Sequence, residues 1–381
     1  MARSTAPLRG VPAVAVSRPV LLLIGGGGAV LVIAGLHGLA DLVGPVFLAL
    51  VLTVAAQPLR TKLTRRGVPA WLATVLVLLA IYATIAALVA SIVVSSVRFA
   101  KLIPSYDGQW HALLTKVSDA LARAGIDPSQ VQLAGRMDLG QLVGRVADAV
   151  GGLLGVVSIL TLVVTVAFFM AMDATWFPDR LGQLPLHRRS LGQALATFAS
   201  GTRWYLVVST VFGLVVAALD TAAMFWLGVP GAALWGLLAF VTNYVPNVGF
   251  FIGLVPPTVL ALLDGGPGLA LVVVSVYIVI NFVIQSLIQP RIVGGTVGLS
   301  PTVTMLSLVF WAFTLGPLGA LMAVPLTLLV KALLVDADPQ AAWISPLLTQ
   351  HPPEFAGRSP HRHANGTPAA PRSRIRLDAR R

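Results

Sequence analysis

Residues 243–249 read Asn-Tyr-Val-Pro-Asn-Val-Gly and interrupt an apolar segment that runs from Gly228 to Leu263. A second apolar segment, Leu299 to Leu334, is interrupted at residues 316–319 by Gly-Pro-Leu-Gly. A continuous membrane helix has no use for such breaks, because unwound backbone in hydrocarbon strands its N–H and C=O groups at a cost of several kcal/mol each. Breaks persist where protein or a water-filled cavity receives those groups, and paired breaks point to a transporter's binding site. The expectation is an all-α integral membrane protein, a polytopic helical bundle. Its two Gly/Pro-broken, re-entrant hairpin-like segments would form an inverted repeat.

Composition agrees. Of the 381 residues, 57% are hydrophobic and 10% charged, against roughly a quarter charged in soluble domains, and the mean hydropathy is +0.88. The absence of cysteine excludes disulfides, thiolate metal sites and cysteine nucleophiles. The six histidines show no ligand spacing; His361 and His363 are close together but sit in a polar tail, where they read as solvated groups. No cofactor and no metal are expected.

The net charge of +12 would suggest nucleic acid in a soluble protein, but its placement argues otherwise. Arg60, Lys62, Arg65 and Arg66 follow one apolar run, Arg180, Arg188, Arg189 and Arg203 follow another, and seven arginines lie in the tail from Arg358 to Arg381. By the positive-inside rule all three groups belong in the cytoplasm, so both termini are expected there, with no nucleic-acid partner.

Taking about 20 apolar residues per crossing, the chain divides as follows. Residues 1–19 form a cytoplasmic segment, and 20–97 hold three spans: Val20 to Ala40, Val43 to Ala56 and Trp71 to Val97. Residues 98–148, with six basic and five acidic residues and an amphipathic pattern at Trp110, Leu113, Leu114, Val117 and Leu121, predict an external helical subdomain. Residues 149–172 cross back, and 173–204 form a basic cytoplasmic connection. Each repeat then joins a span to a broken segment, in 205–264 and in 265–335. Residues 336–381 read as a disordered basic cytoplasmic tail.

If each broken segment is a re-entrant hairpin, the first is entered from outside and the second from inside. Sliding one unit onto the other by about 70 positions superposes Gly249 on Gly319 and brings Pro256 one place from Pro325. Inverted repeats with discontinuous helices alternate access to a midplane site by exchanging conformations. Kinked full spans would keep the same end points. Arg291, the sole basic residue of the deciding loop, leaves both arrangements open.

These residues carry a resemblance. Gly228-Val-Pro-Gly-Ala-Ala-Leu-Trp-Gly236, the 243–249 stretch and Pro256, then Gln289-Pro290-Arg291-Ile-Val-Gly294, Gly298-Leu-Ser-Pro301, and Gly316 through Pro325-Leu326 resemble the autoinducer-2 exporter family of bacterial permeases. Upstream, Gln57-Pro58-Leu59 and Arg65-Arg66-Gly67-Val-Pro69 are similar to that family's loop between its second and third helices. The resemblance covers most of residues 20–335. It implies an inner-membrane permease exporting small signalling molecules, some relatives being regarded as sodium/proton antiporters. Departures are a single glutamate, Glu354, few acidic residues in the spans, and the Pro/Arg/His tail.

The residues expected on the substrate pathway are Asn243, Pro246, Asn247, Gly249, Asn281, Gln285, Gln289, Pro290, Gly316, Pro317, Gly319 and Pro325. Asn281, Gln285 and Gln289 recur every four residues, a polar stripe on an otherwise apolar helix that lines a path or bonds a neighbouring helix. The prolines and glycines supply shape, exposing carbonyls and half-helix ends. Asp220, in Val215-Val-Ala-Ala-Leu-Asp220, must face the bundle; it reads either as a coupling carboxylate or as a structural partner of Thr221, Asn243 or Asn281.

No catalytic triad, HExxH or Walker motif is present, so no enzyme and no ATP coupling are expected. Small-molecule export, cation/proton antiport through Asp220, and a non-transporting membrane scaffold are the three readings. The expected partners are a small-molecule or ion substrate and the bilayer; glycine and alanine faces also suit a homo-oligomer.

Overall fold

A computed structural model describes residues 17–125, 139–174, 176, 189–246, 248–289, 291, 299–338 and 340–348. Among them there is no strand. The helices are α1 (Arg18–Gly38), α2 (Ala40–Arg65), α3 (Ala70–Leu102), α4 (Asp107–Arg123), α5 (Leu139–Asp173), α6 (Arg189–Trp226), α7 (Ala232–Thr242), α8 (Val248–Asn281), α9 (Pro301–Leu321), α10 (Ala323–Lys331) and the single turn α11 (Ser345–Leu348). Wider π-helical turns continue α8 over Phe282–Ile288 and α10 over Ala332–Asp336.

Among the described residues five helices are long and apolar enough to cross a bilayer, and the distribution of polarity is that of a membrane protein. Val211, Leu214, Phe251, Val255, Leu271, Val279 and Phe313 are exposed, while Thr202, Ser209, Asp220, Thr242, Ser307 and Thr314 are buried. An apolar coat of this extent is unfavourable in water and costs nothing in hydrocarbon.

Helix α5 packs on α2 and α3, with Ala49, Leu78, Val163 and Ala167 at the junction. The long α6 supports α7 along its length and meets α10. Helix α2 bridges the two groups, touching α6 and α9.

Several element boundaries differ from the sequence reading. Helix α2 runs nine residues past Ala56, through Pro58, so the expected loop at 57–60 is helical and the turn falls at residues 66–69. The basic connection ends inside α6, which begins at Arg189 rather than Tyr205. The boundary near Asp264 is a kink within α8, at Gly266 (φ 75°, ψ −169°), a conformation reserved for glycine. The stretch read as the start of a disordered tail is folded back: Ser300 N–H donates to the Leu348 carbonyl at 2.9 Å and Ser190 Oγ to the Ala337 carbonyl at 2.9 Å. Within residues 98–148 the expected amphipathic helix is α4.

Candidate functional site

At the first break α7 ends at Thr242 and α8 begins at Val248. Glycine lets the helices come close. A side chain on Gly236 would strike Thr221 and Ala217 of α6, and one on Gly249 would strike the Thr242 carbonyl. The polar groups of the turn are received by α6. Tyr205 Oη donates to the Tyr244 carbonyl at 2.8 Å, Thr210 Oγ1 lies 2.6 Å from Tyr244 Oη, and Asn243 Nδ2 donates to the Ser209 carbonyl at 3.1 Å. Protein therefore takes the place of the water that unwound backbone needs.

The second break is built differently. Gly316 takes φ 66°, ψ −149°, and Pro317 has no N–H for the Phe313 carbonyl four residues back. His37 of α1 meets that carbonyl: Nδ1 lies 3.1 Å from it, and the ring stacks on Phe313 with centroids 5.5 Å apart. Across the break Trp311 Nε1 donates to Thr327 Oγ1 at 3.0 Å, tying α9 to α10. A side chain on Gly319 would strike the Trp311 carbonyl. Val245, from the first turn, packs onto the cluster that holds Leu315 and Met322, so the two breaks meet.

Beside the first break is a small polar cavity, about 10 Å³, lined by Asp220 of α6, Thr242 and Asn243 of α7 and its turn, Gly249, Tyr277 and Asn281 of α8, and Gln285. That volume is on the scale of one water molecule. Gln285 Nε2 donates to Asn281 Oδ1 at 2.7 Å and reaches Asn243 Oδ1 at 3.4 Å, while Asn281 Nδ2 donates to the Tyr277 carbonyl at 2.9 Å. Asp220 is fully buried. Neither its oxygens nor Tyr277 Oη has a hydrogen-bond partner among the described residues. Such a carboxylate in a membrane interior demands a proton or a cation.

The structure thus gathers Asp220, Asn243, Gly249, Asn281 and Gln285 around one cavity. Pro246 lies half-buried in the adjoining turn. Gln289 is not in the cavity lining: the π-helical turns of 282–288 hold more residues per turn, which rotates it off the stripe. Gly316, Pro317, Gly319 and Pro325 belong to the second break, outside this cavity, with Pro325 fully buried. Asn247 and Pro290 lie outside the described residues. The structural partners considered for Asp220 make no hydrogen bond to it: Thr221 Oγ1 donates to the Ala217 carbonyl instead.

Sequence reasoning missed Tyr277, although it stands four residues before Asn281 and extends the same stripe by one turn. It also missed His37, which no periodicity connects to Phe313.

Residues 27–337 match the model of the AI-2E family transporters. This chain belongs to that family. It is 31% identical to YhhT of Escherichia coli K12 over 306 residues, 79% of this chain and 86% of YhhT. It is also 31% identical over 302 residues to the AI-2 transport protein TqsA of the same strain, covering 79% of this chain and 88% of TqsA. A relative in Haemophilus influenzae Rd is 29% identical over 332 residues, 86% of this chain and 95% of its own length. As an AI-2E family member the chain is a multi-pass membrane transporter, and the scaffold reading has no support left.

Proposed function

We propose that this AI-2E family transporter is a secondary, gradient-driven exporter of a small signalling molecule of the autoinducer-2 kind from the bacterial cytoplasm. In this reading the solute passes where the two breaks meet, and Asp220 couples its passage to a proton. The observation that carries the reading is the buried Asp220 carboxylate, without a partner among the described residues, beside the first break. TqsA, by its name an AI-2 transport protein, supports the substrate class.

Helix α7, at 11 residues, is about 16 Å long and falls short of a hydrocarbon core of about 30 Å. It fits one arm of a re-entrant hairpin whose other arm is α8 up to Gly266. A cavity of about 10 Å³ is too small for the solute, so transport requires the breaks to move apart, as inverted repeats do when they exchange conformations.

Cation/proton antiport is the second reading, favoured by the same orphaned carboxylate, which a monovalent cation would neutralise as well as a proton does. Everted vesicles distinguish the two. Export predicts that an imposed proton gradient drives accumulation of labelled autoinducer-2 and that Asp220→Asn slows it roughly tenfold or more; cation-driven proton movement without solute accumulation selects antiport. For the pathway, the chain offers a background without cysteine. Single cysteines at Pro246 and Leu318 should react with a membrane-impermeant thiol reagent, and protection of both rules out a water-accessible path through the breaks.

A further inference from the structure

Where α2 ends, a cleft of about 710 Å³ opens between it and α6. Lys62, Arg65 and Arg66 line it from one side and Arg203 from the other, with no carboxylate among its described lining. Cations in a last helical turn offset the helix dipole, which accounts for Lys62 and Arg65 on their own helix. It does not account for Arg203, which lies well inside α6. Its guanidinium is half-buried and donates through Nη1 to Gln57 Oε1 at 2.7 Å. That partner is a neutral amide, so the contact orients the guanidinium without cancelling its charge.

Two tryptophans fix the depth of the cleft. Trp71 follows Arg66 by five residues and is 61% exposed, and Trp204 is next to Arg203 and 40% exposed. Trp71 stands at the start of α3 and Trp204 where the apolar stretch of α6 from Tyr205 begins, and exposed tryptophans at the margins of apolar stretches sit at headgroup level. A cationic cleft there, between membrane helices, has the chemistry of a phosphate site, arginine forks being suited to phosphate oxygens.

We propose that this cleft binds the phosphate of an anionic phospholipid headgroup. A free phosphorylated solute shares the chemistry but not the depth or the flanking tryptophans.

The full chain, purified in neutral detergent, is titrated with phosphatidylglycerol, phosphatidylcholine, inorganic phosphate and glycerol 3-phosphate, and lipid retention is read by native mass spectrometry beside thermal unfolding. Phosphatidylglycerol should bind and raise the unfolding temperature, whereas the other three should not. R203Q should weaken phosphatidylglycerol about fivefold and R65Q/R66Q about 25-fold, near fivefold per charge removed. The matched pair R98Q/K101Q, at the opposite end of α3, should leave it unchanged. Equal weakening by the matched pair overturns the cleft in favour of diffuse surface charge. Competition by inorganic phosphate or glycerol 3-phosphate overturns the lipid as its source, and no response to phosphatidylglycerol overturns both. If the double variant does not fold, R203Q alone decides.

Discussion

The first break holds its turn with side chains of α6 and keeps a carboxylate, a phenol and three amides around a cavity; the second closes on itself, with a Gly-Pro kink, a Trp311–Thr327 bond between its arms and one histidine from outside. Their backbone device is nevertheless the same. Gly249 and Gly319, superposed by the sequence alignment of the two units, each abut a carbonyl of the helix before the break. The likeness lies in the shape of the turn and the difference in polar chemistry, so the two breaks need not contribute equally to coupling.

The largest effect tests the likeness. Gly249→Val and Gly319→Val each drive a side chain onto backbone that cannot yield, a loss of about 3 kcal/mol or more. Both should abolish a monodisperse peak after detergent extraction; a well-folded variant at either position would end the equivalence.

Asp220→Asn tests the difference. It should reduce gradient-driven flux roughly tenfold or more, about 1.4 kcal/mol in the barrier, while Thr314→Val, at the buried hydroxyl of the second break, should leave flux near wild type. Equal losses would place coupling chemistry at both breaks.

Between the breaks lies the Gly266 kink, and there Tyr106 Oη donates to Asp264 Oδ1 at 3.1 Å. Burial, and then the adjacent Asp264 carboxylate, raise the Tyr106 hydroxyl above its ordinary pKa near 10. The contact therefore contributes in full below pH 10 and is lost as pH rises through the folded value. Tyr106→Phe should lower stability by about 1 kcal/mol at neutral pH and lose less than wild type on going above pH 10, measured by thermal unfolding across the alkaline range. Identical alkaline profiles would remove Tyr106 as a tie between the segment joining α3 to α4 and the kink.

His37→Ala should have the smallest effect, about 0.6 kcal/mol by the usual worth of an interhelical hydrogen bond in a membrane. In the cysteine-free background it should also speed thiol labelling of a cysteine at Leu318. Unchanged labelling would show that the second break seals without α1.

Both breaks, the all-α membrane class and the Asn281–Gln285 pair were legible in the sequence because hydropathy, Gly/Pro interruption and four-residue spacing are local signals. Asp220 was singled out because a lone acid in an apolar helix must have a reason to be there. What was not legible depended on packing or on a change of helical pitch. Gln289 leaves the stripe through π-helical turns that periodicity does not announce, and the helical passage of α2 through Pro58 is fixed by its neighbours rather than by propensity. The orphaned state of Asp220 belongs to the same class, since candidates that looked suitable by type, such as Thr221, are engaged with their own backbone.

The His37–Phe313 contact also has a consequence in time. Its partners are 276 residues apart in the chain, and a chain is made from its N-terminus at about 5–20 residues per second. Helix α1 has therefore been synthesised for tens of seconds, on the order of 276 residues at that rate, before the carbonyl that His37 meets exists. The second break is completed late, by a group that arrived first, and truncation anywhere before α9 leaves that histidine without its acceptor.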